Sequence, residues 1–205
     1  MSLVDLSTIK EYLPELAGST GSDTQLTNLR DRVESAVARY LGFPVPDSSL
    51  NPVLDVATYT FFVDSPTKYD AFTLQVPISP IVSITSIHTS YNRQYTVNEL
   101  IDSSFYTFNP SAGRIYLDPN ISTKTFISGY RANKVILTAG YTSITLPDDV
   151  EHGICVWIAQ LHRQKTTQGK EQISQANSTV RVSPKTIPEE VKELINPIRC
   201  PELVL

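Results

Sequence analysis

Residues 134–168 read KVILTAGYTSITLPDDVEHGICVWIAQLHRQKTTQ, and the reading of this stretch decides the fold. Val135-Ile136-Leu137 is a short apolar run of strand character that leads into Ala139-Gly140-Tyr141. A polar loop follows. Pro147 suits a first helical position, where its missing N–H costs nothing. Asp148, Asp149 and Glu151 then face the positive end of the helix dipole. Arg163 and Lys165 lie near the negative end, and Gly169 is a candidate stop. Val150, Ile154, Trp157, Ile158 and Leu161 fall at helical spacing between those ends. The stretch therefore predicts a strand feeding an amphipathic helix over 148–166.

Upstream, the period is helical again. Leu3, Leu6, Ile9, Leu13 and Leu16 share one face until Pro14 interrupts. After the loop Gly18–Ser22, a second helix carries Leu26, Leu29, Val33, Ala36, Val37, Tyr40 and Leu41 on one side. Ser22 and Gln25 have capping-box spacing at its start, and Gly42 with Pro44 ends it. Between the helical thirds the period changes to two. Strands are expected at Thr58–Val63, Phe72–Val76, Ile81–Ile87, Phe105–Phe108, Arg114–Leu117 and Val135–Leu137, separated by Pro, Gly, Asn and Asp. Tyr91–Asp102 reads as a long loop. Residues 169–187 read as a mobile polar loop with one strand at Thr179–Val182, and Pro188 opens a short helix that stops at Asn196-Pro197.

The fold class expected is α+β: a helical platform from the N- and C-terminal segments, 1–44 plus 146–205, with an antiparallel sandwich or barrel-like domain inserted over 45–145. Helices 23–41 and 148–166 should pack together, with Leu29, Val33, Tyr40, Ile154, Trp157 and Leu161 at the contact.

The chain has 205 residues, 40% of them hydrophobic, which is enough for a real core. A net charge of −4 argues against tight phosphate binding. The N-terminus carries an acidic residue and no apolar run of signal length, and no stretch reaches the roughly eighteen apolar residues of a membrane helix. Cys155 reads as a small buried hydrophobe, and nothing supports pairing it with Cys200.

Chemistry-bearing patterns are sparse. His152 and His162 are ten apart, not the i, i+4 pair that chelates a metal, and His88 stands alone. No serine sits in a Gly-x-Ser-x-Gly elbow. Gly18–Ser22 and Gly169-Lys170 lack the context of a phosphate loop. No catalytic residue, metal or cofactor is assigned. Tyr91, Tyr95, Tyr106 and Tyr130 lie near turns and are surface candidates for stacking on a glycan. Leu203-Val204-Leu205 should be buried, either on its own helices or in a partner.

The order of these features resembles the head–tail connector (adaptor, or head-completion) proteins of long-tailed bacteriophages. The join Ala139-Gly140-Tyr141 to Pro147-Asp148-Asp149 is similar to that family's strand-to-helix passage. Residues 72–87, FTLQVPISPIVSITSI, and Ser111–Leu117, SAGRIYL, resemble its strand segment and hairpin. Pro188–Arg199, PEEVKELINPIR, resembles its closing helix, with Ile198-Arg199 where the family usually has Tyr-Arg. The resemblance implies a structural virion protein with no catalytic role. It implies a homo-oligomeric ring, usually dodecameric, between the portal protein and a tail-completion (stopper) protein. DNA would pass through the ring without sequence-specific binding. The protein would be assembled in the host cytoplasm and located at the portal vertex, in the neck. It also implies that Ile195 to Leu205 reaches the portal, which makes Ile195, Pro197, Ile198, Arg199, Pro201, Leu203, Val204 and Leu205 the contact candidates. Two other classes compete with it: a baseplate or receptor-binding β-module with an aromatic glycan surface, and a small hydrolase assembled from distant residues.

Overall fold

The computed structural model of the chain describes residues 2–64, 71–164, 172–175, 178–181 and 187–200. The fold is α+β. Helices α1 (Leu6–Glu11) and α2 (Asp23–Tyr40) precede strands β1 (Ala57–Val63), β2 (Thr73–Gln75), β3 (Ile81–Thr89), β4 (Leu100–Ile101), β5 (Tyr106–Asn109), β6 (Arg114–Leu117) and β7 (Asn133–Ala139). Helix α3 (Asp148–Gln164), a hairpin of β8 (Gln172–Gln175) and β9 (Ser178–Arg181), and helix α4 (Glu189–Ile195) follow.

Helix α2 stops where the sequence says it should. Gly42 sits at φ +84°, a conformation that side chains with a Cβ avoid. The Gly42 N–H donates to Arg39 O at 3.2 Å and the Phe43 N–H to Ala38 O at 2.9 Å, the paired bonds of a Schellman stop. The start differs from expectation. Ser22 has φ −104°, ψ 0°, outside the extended region, and its hydroxyl makes no cap hydrogen bond.

The sheets are antiparallel. One has the order β1-β7-β3-β4 and the other β2-β6-β5. Strand β7 is the centre of the first, paired with β1 from Ala57↔Ala139 to Val63↔Asn133 and with β3 on its other edge. Its residues alternate in burial: Asn133, Val135, Leu137 and Ala139 face inward, while Lys134, Ile136 and Thr138 are half-exposed. Buried Asn133 is fully engaged, since its amide donates to Val63 O (3.1 Å) and Ile127 O (2.8 Å) and accepts from Ile127 N (3.1 Å).

Two segments contain more strand than expected. Within 91–102, Thr96 and Glu99 form a capping box around a 3-10 turn that delivers β4 to the edge of β3. The Thr-x-x-Glu spacing was readable; the two-residue strand after it was too short to show a period. Within 169–187, β8 and β9 pair from Gln172↔Arg181 to Gln175↔Ser178. Strand β9 falls within one residue of the strand expected at Thr179–Val182, whereas polar composition hid its partner β8.

One contiguous apolar cluster joins helices and sheets, from Ile9, Leu26 and Val37 through Tyr59, Leu74 and Leu137 to Ile154 and Val191. The structure places Val33 and Ile154 fully inside it, with Leu29, Tyr40, Trp157 and Leu161 half-buried against it. On α3 the buried set is Val150, Gly153, Ile154, Cys155, Ile158 and Ala159. The deepest line is thus rotated away from Trp157, because α3 is packed by α1 and α4 as well as by α2.

Strand β7 leaves its sheet through Gly140, at φ +122°. A Cβ there would lie 2.4 Å from Asp55 O and 2.8 Å from Leu54 O. Gly129 has a comparable φ of +142° but open space around it. Gly140→Ala should therefore destabilise by about 3 kcal/mol or more, adding steric overlap to backbone strain, whereas Gly129→Ala should cost about 1–2 kcal/mol. Urea unfolding of both variants checks this, and equal costs would contradict the close approach.

At the other end of the helical layer, Glu34 of α2 holds the N-terminal segment. Its Oε1 accepts from the Val4 N–H and the Ser2 hydroxyl, both at 3.2 Å. Burial raises the Glu34 carboxyl above its usual range, against the lowering effect of the Val4 hydrogen bond and of Arg30. A raised carboxyl favours the fold when protonated, and that contribution is lost as pH rises through its folded value. Glu34→Gln keeps the acceptor and removes the charge. Its stability relative to the unsubstituted protein should rise steadily from acid to neutral pH in paired denaturation curves, and a flat difference would reject the assignment.

Candidate interface at the C-terminal segment

The C-terminal segment packs on α3 beside Gly153. A methyl group at Gly153 would lie 3.4 Å from Ile195 Cγ2 and 3.5 Å from Val191 Cγ1, ordinary contact distances that show how closely α4 lies on α3 there. Val191 and Ile195 are completely buried there. Gln160 on α3 donates to the Glu190 carboxylate, and Lys192 pairs with Glu189 at 2.8 Å along α4. Pro188, with extended dihedrals, starts α4, and a 3-10 turn over Asn196–Ile198 ends it.

The next bonds lead back to α2. The Tyr40 hydroxyl donates to Asn196 Oδ1 at 2.8 Å, and the Cys200 N–H donates to Leu41 O at 2.8 Å. The Cys200 side chain is buried, with Cβ 3.7 Å from where a Gly42 methyl would lie and the sulfur 3.9 Å from Ser79 O. Burial pushes the Cys200 thiol up, and it pushes the Tyr59 and Tyr141 phenols up to about 12, with Cys200 as the second cause in each. Both cysteines are free.

This arrangement sorts the contact candidates. Ile195 belongs to the interior and cannot meet a partner without undoing α4, which packs it on α3. Pro197 and Arg199 are exposed and Ile198 is half-exposed, so these three form the outward face of the segment. Pro201, Leu203, Val204 and Leu205 lie outside the described residues. Sequence reasoning missed Asn196 and Cys200, which bind the segment to α2. Gly42 was the available signal, since it marks where α2 stops but not what covers it.

The other singled-out residues do not assemble a catalytic group. His152 is exposed, with Nδ1 2.8 Å from the Tyr12 hydroxyl, and His88 sits on the half-exposed face of β3. Among the described residues no three His, Cys, Asp or Glu side chains are grouped as a metal site would require. No helix among them is long and apolar enough to cross a membrane. The described residues border open clefts. One of about 340 Å³ is bordered by Arg30, Glu34 and Asp55, and one of about 460 Å³ by Thr89, Tyr91, Glu99 and Lys124. Tyr91 and Tyr130 are 86% and 69% exposed at one end of the four-stranded sheet, joined there by Tyr95, whereas Tyr106 is half-buried in β5.

No family model matches the sequence, and no curated protein is similar to it. Solved structures share its fold. A chain in the neck of a native gene transfer agent particle, determined with C12 symmetry, superposes with a TM-score of 0.54 at 13% identity, covering 96% of this chain and 90% of that one. A chain in the neck of an empty particle of the same kind, with C6 symmetry, gives the same values. A chain in the native gene transfer agent virion gives a TM-score of 0.52 at 14% identity over the same shares. At such identities the likeness concerns the fold.

If segment 196–200 is docked as described, Cys200 and Cys155 should both alkylate far more slowly in the folded protein than in the urea-unfolded chain, because each thiol is buried and raised. Peptide mapping distinguishes the two sites. Rapid native labelling at Cys200 alone would show the segment undocked.

Proposed function

We propose that this chain is a structural protein of the neck of a tailed, phage-like particle. One observation carries the reading: its fold follows, over 96% of its length, that of chains from gene transfer agent necks. The role is non-catalytic. The chain forms a ring, a dodecamer on the analogy of the neck with C12 symmetry, between the portal and the tail. The ring extends the DNA channel and offers a docking surface to a tail-completion protein. DNA passes through without sequence-specific binding, which an excess of acidic over basic residues favours. The helical layer, 1–44 with 146–205, serves as the platform and the sheets of 45–145 as an inserted domain. The protein is assembled in the host cytoplasm and resides at the portal vertex.

On this reading the portal is met by Pro197, Ile198 and Arg199 and by the segment after Cys200. Pro201, Leu203, Val204 and Leu205 supply its apolar part. A glycan-binding module is less well supported, because Tyr95 and Tyr130 already present ring faces to the protein's own cations.

Deletion of 201–205 leaves the Cys200 anchor in place. The shortened protein should keep its unfolding midpoint, because the buried Ile195 and the Cys200 bond to Leu41 are retained, yet fail to complete particles. Electron cryomicroscopy of particles carrying the full chain should show a ring at the vertex. Density at a baseplate or fibre tip, or complete particles made with the shortened protein, would overturn the corresponding part of the proposal.

A further inference from the structure

One end of the four-stranded sheet carries a feature that the neck reading leaves unused. Among the described residues, the non-glycine residues with positive φ are Arg93 (61°), Tyr95 (52°) and Arg131 (54°). All three belong to the loops that meet at the end of the sheet where β7 begins. Such conformations are unfavourable for Arg and Tyr and persist only where the surroundings fix them. Here they are fixed. Arg93 Nε donates to Tyr130 O at 2.8 Å, the Tyr95 hydroxyl to Arg131 O at 2.5 Å, and the Arg131 N–H to Asp64 Oδ1 at 2.5 Å.

The result is a rigid array of three cations on three rings. The Arg131 guanidinium lies 4.0 Å from the Phe62 ring centroid, Lys134 Nζ 5.7 Å from that of Tyr95, and the Arg93 guanidinium 5.9 Å from that of Tyr130. Among the described residues no carboxylate forms an ion pair with any of the three. The nearby acids accept other donors: Asp64 takes the Arg131 backbone N–H within the array, and Glu99 accepts from the Ser90 hydroxyl (2.6 Å) and the Thr96 N–H (2.7 Å).

The opposite end of β7 has the opposite sign. The strand is about 20 Å long at ordinary strand rise. Past Gly140 it reaches a loop in which Ile144 is 92% exposed, then the exposed carboxylates of Asp148 and Asp149. A closed ring needs unlike, complementary patches on two sides of each copy. We propose that the Arg93–Arg131–Lys134 array is one half of the contact between neighbouring copies and receives Asp148 and Asp149 of the next copy. This rests on the ring reading above and names its contact residues.

The test reverses each charge patch separately. Arg93→Asp with Arg131→Asp removes two cations while keeping a residue type that tolerates positive φ. Asp148→Lys with Asp149→Lys reverses the other side. In sedimentation velocity at low salt, the unsubstituted protein should form oligomers that dissociate as salt is added. Each double variant alone should remain monomeric, and an equimolar mixture of the two should regain oligomers, which a misfolded variant could not do. Unchanged assembly of either variant, no rescue on mixing, or an unsubstituted protein monomeric at low salt would overturn the contact. So would loss of duplex DNA or acidic glycan binding in Arg93→Asp, Arg131→Asp with assembly intact, which would assign the array to that ligand. A ring at the particle vertex alongside any of these failures would reject this contact alone and leave the neck reading standing.

Discussion

The structure depends on the close approach of two backbones at Gly140. Tyr141 N–H donates to Leu54 O at 2.8 Å, Val56 N–H returns to Tyr141 O at 3.1 Å, and Gly140 N–H reaches Pro80 O at 3.0 Å. Three separate segments are thereby joined at one point: the chain entering β1, the chain entering β3 and the chain leaving β7 for α3. Any Cβ at position 140 would overlap Asp55 O, so the junction exists only because a side chain is absent. The placement of α3 relative to the sheet follows from it.

From α3 the rest of the helical layer follows by packing. Tyr12 of the N-terminal segment meets His152, and Arg163 donates to Tyr12 O at 2.9 Å and pairs with Glu15 at 3.2 Å. Helix α2 covers one side and α4 another, the latter at Gly153. The buried Val191 and Ile195 hold the C-terminal segment on α3 at that point. The interior takes Ile195 and Cys200 from the closing segment and leaves Pro197, Ile198 and Arg199 outward. Anchoring at Cys200 fixes the orientation of this segment immediately before the apolar Leu203-Val204-Leu205 of the sequence.

Electrostatics adds a direction to this architecture. The cationic array and the acidic start of α3 lie at opposite ends of β7, so the molecule carries separated, unlike patches despite a small net charge. Separated patches of this kind favour orientation and encounter more than binding strength.

What the sequence determined by itself was local. Periodicity and end signals located α2, α3 and α4 to within a few residues, because Gly42, Pro147 and Pro188 act on the backbone at their own positions. Six strands were visible because alternation is also local, and Gly140 stood out within the join between β7 and α3. Tertiary structure decided the remainder. The most deeply buried line of α3 runs through Ile154, Cys155 and Ile158 and leaves Trp157 half-buried against the core, because α1 and α4 also pack on that helix. Ile195 went inward with Val191 where α4 packs on α3 beside Gly153, and Cys200 found its place against Gly42 and Ser79. The array of Arg93, Tyr95 and Arg131 was hidden for the same reason: its strained backbones are held by Asp64 and by loops far along the chain. Such contacts leave no period in the sequence, so only the folded chain could bring them together.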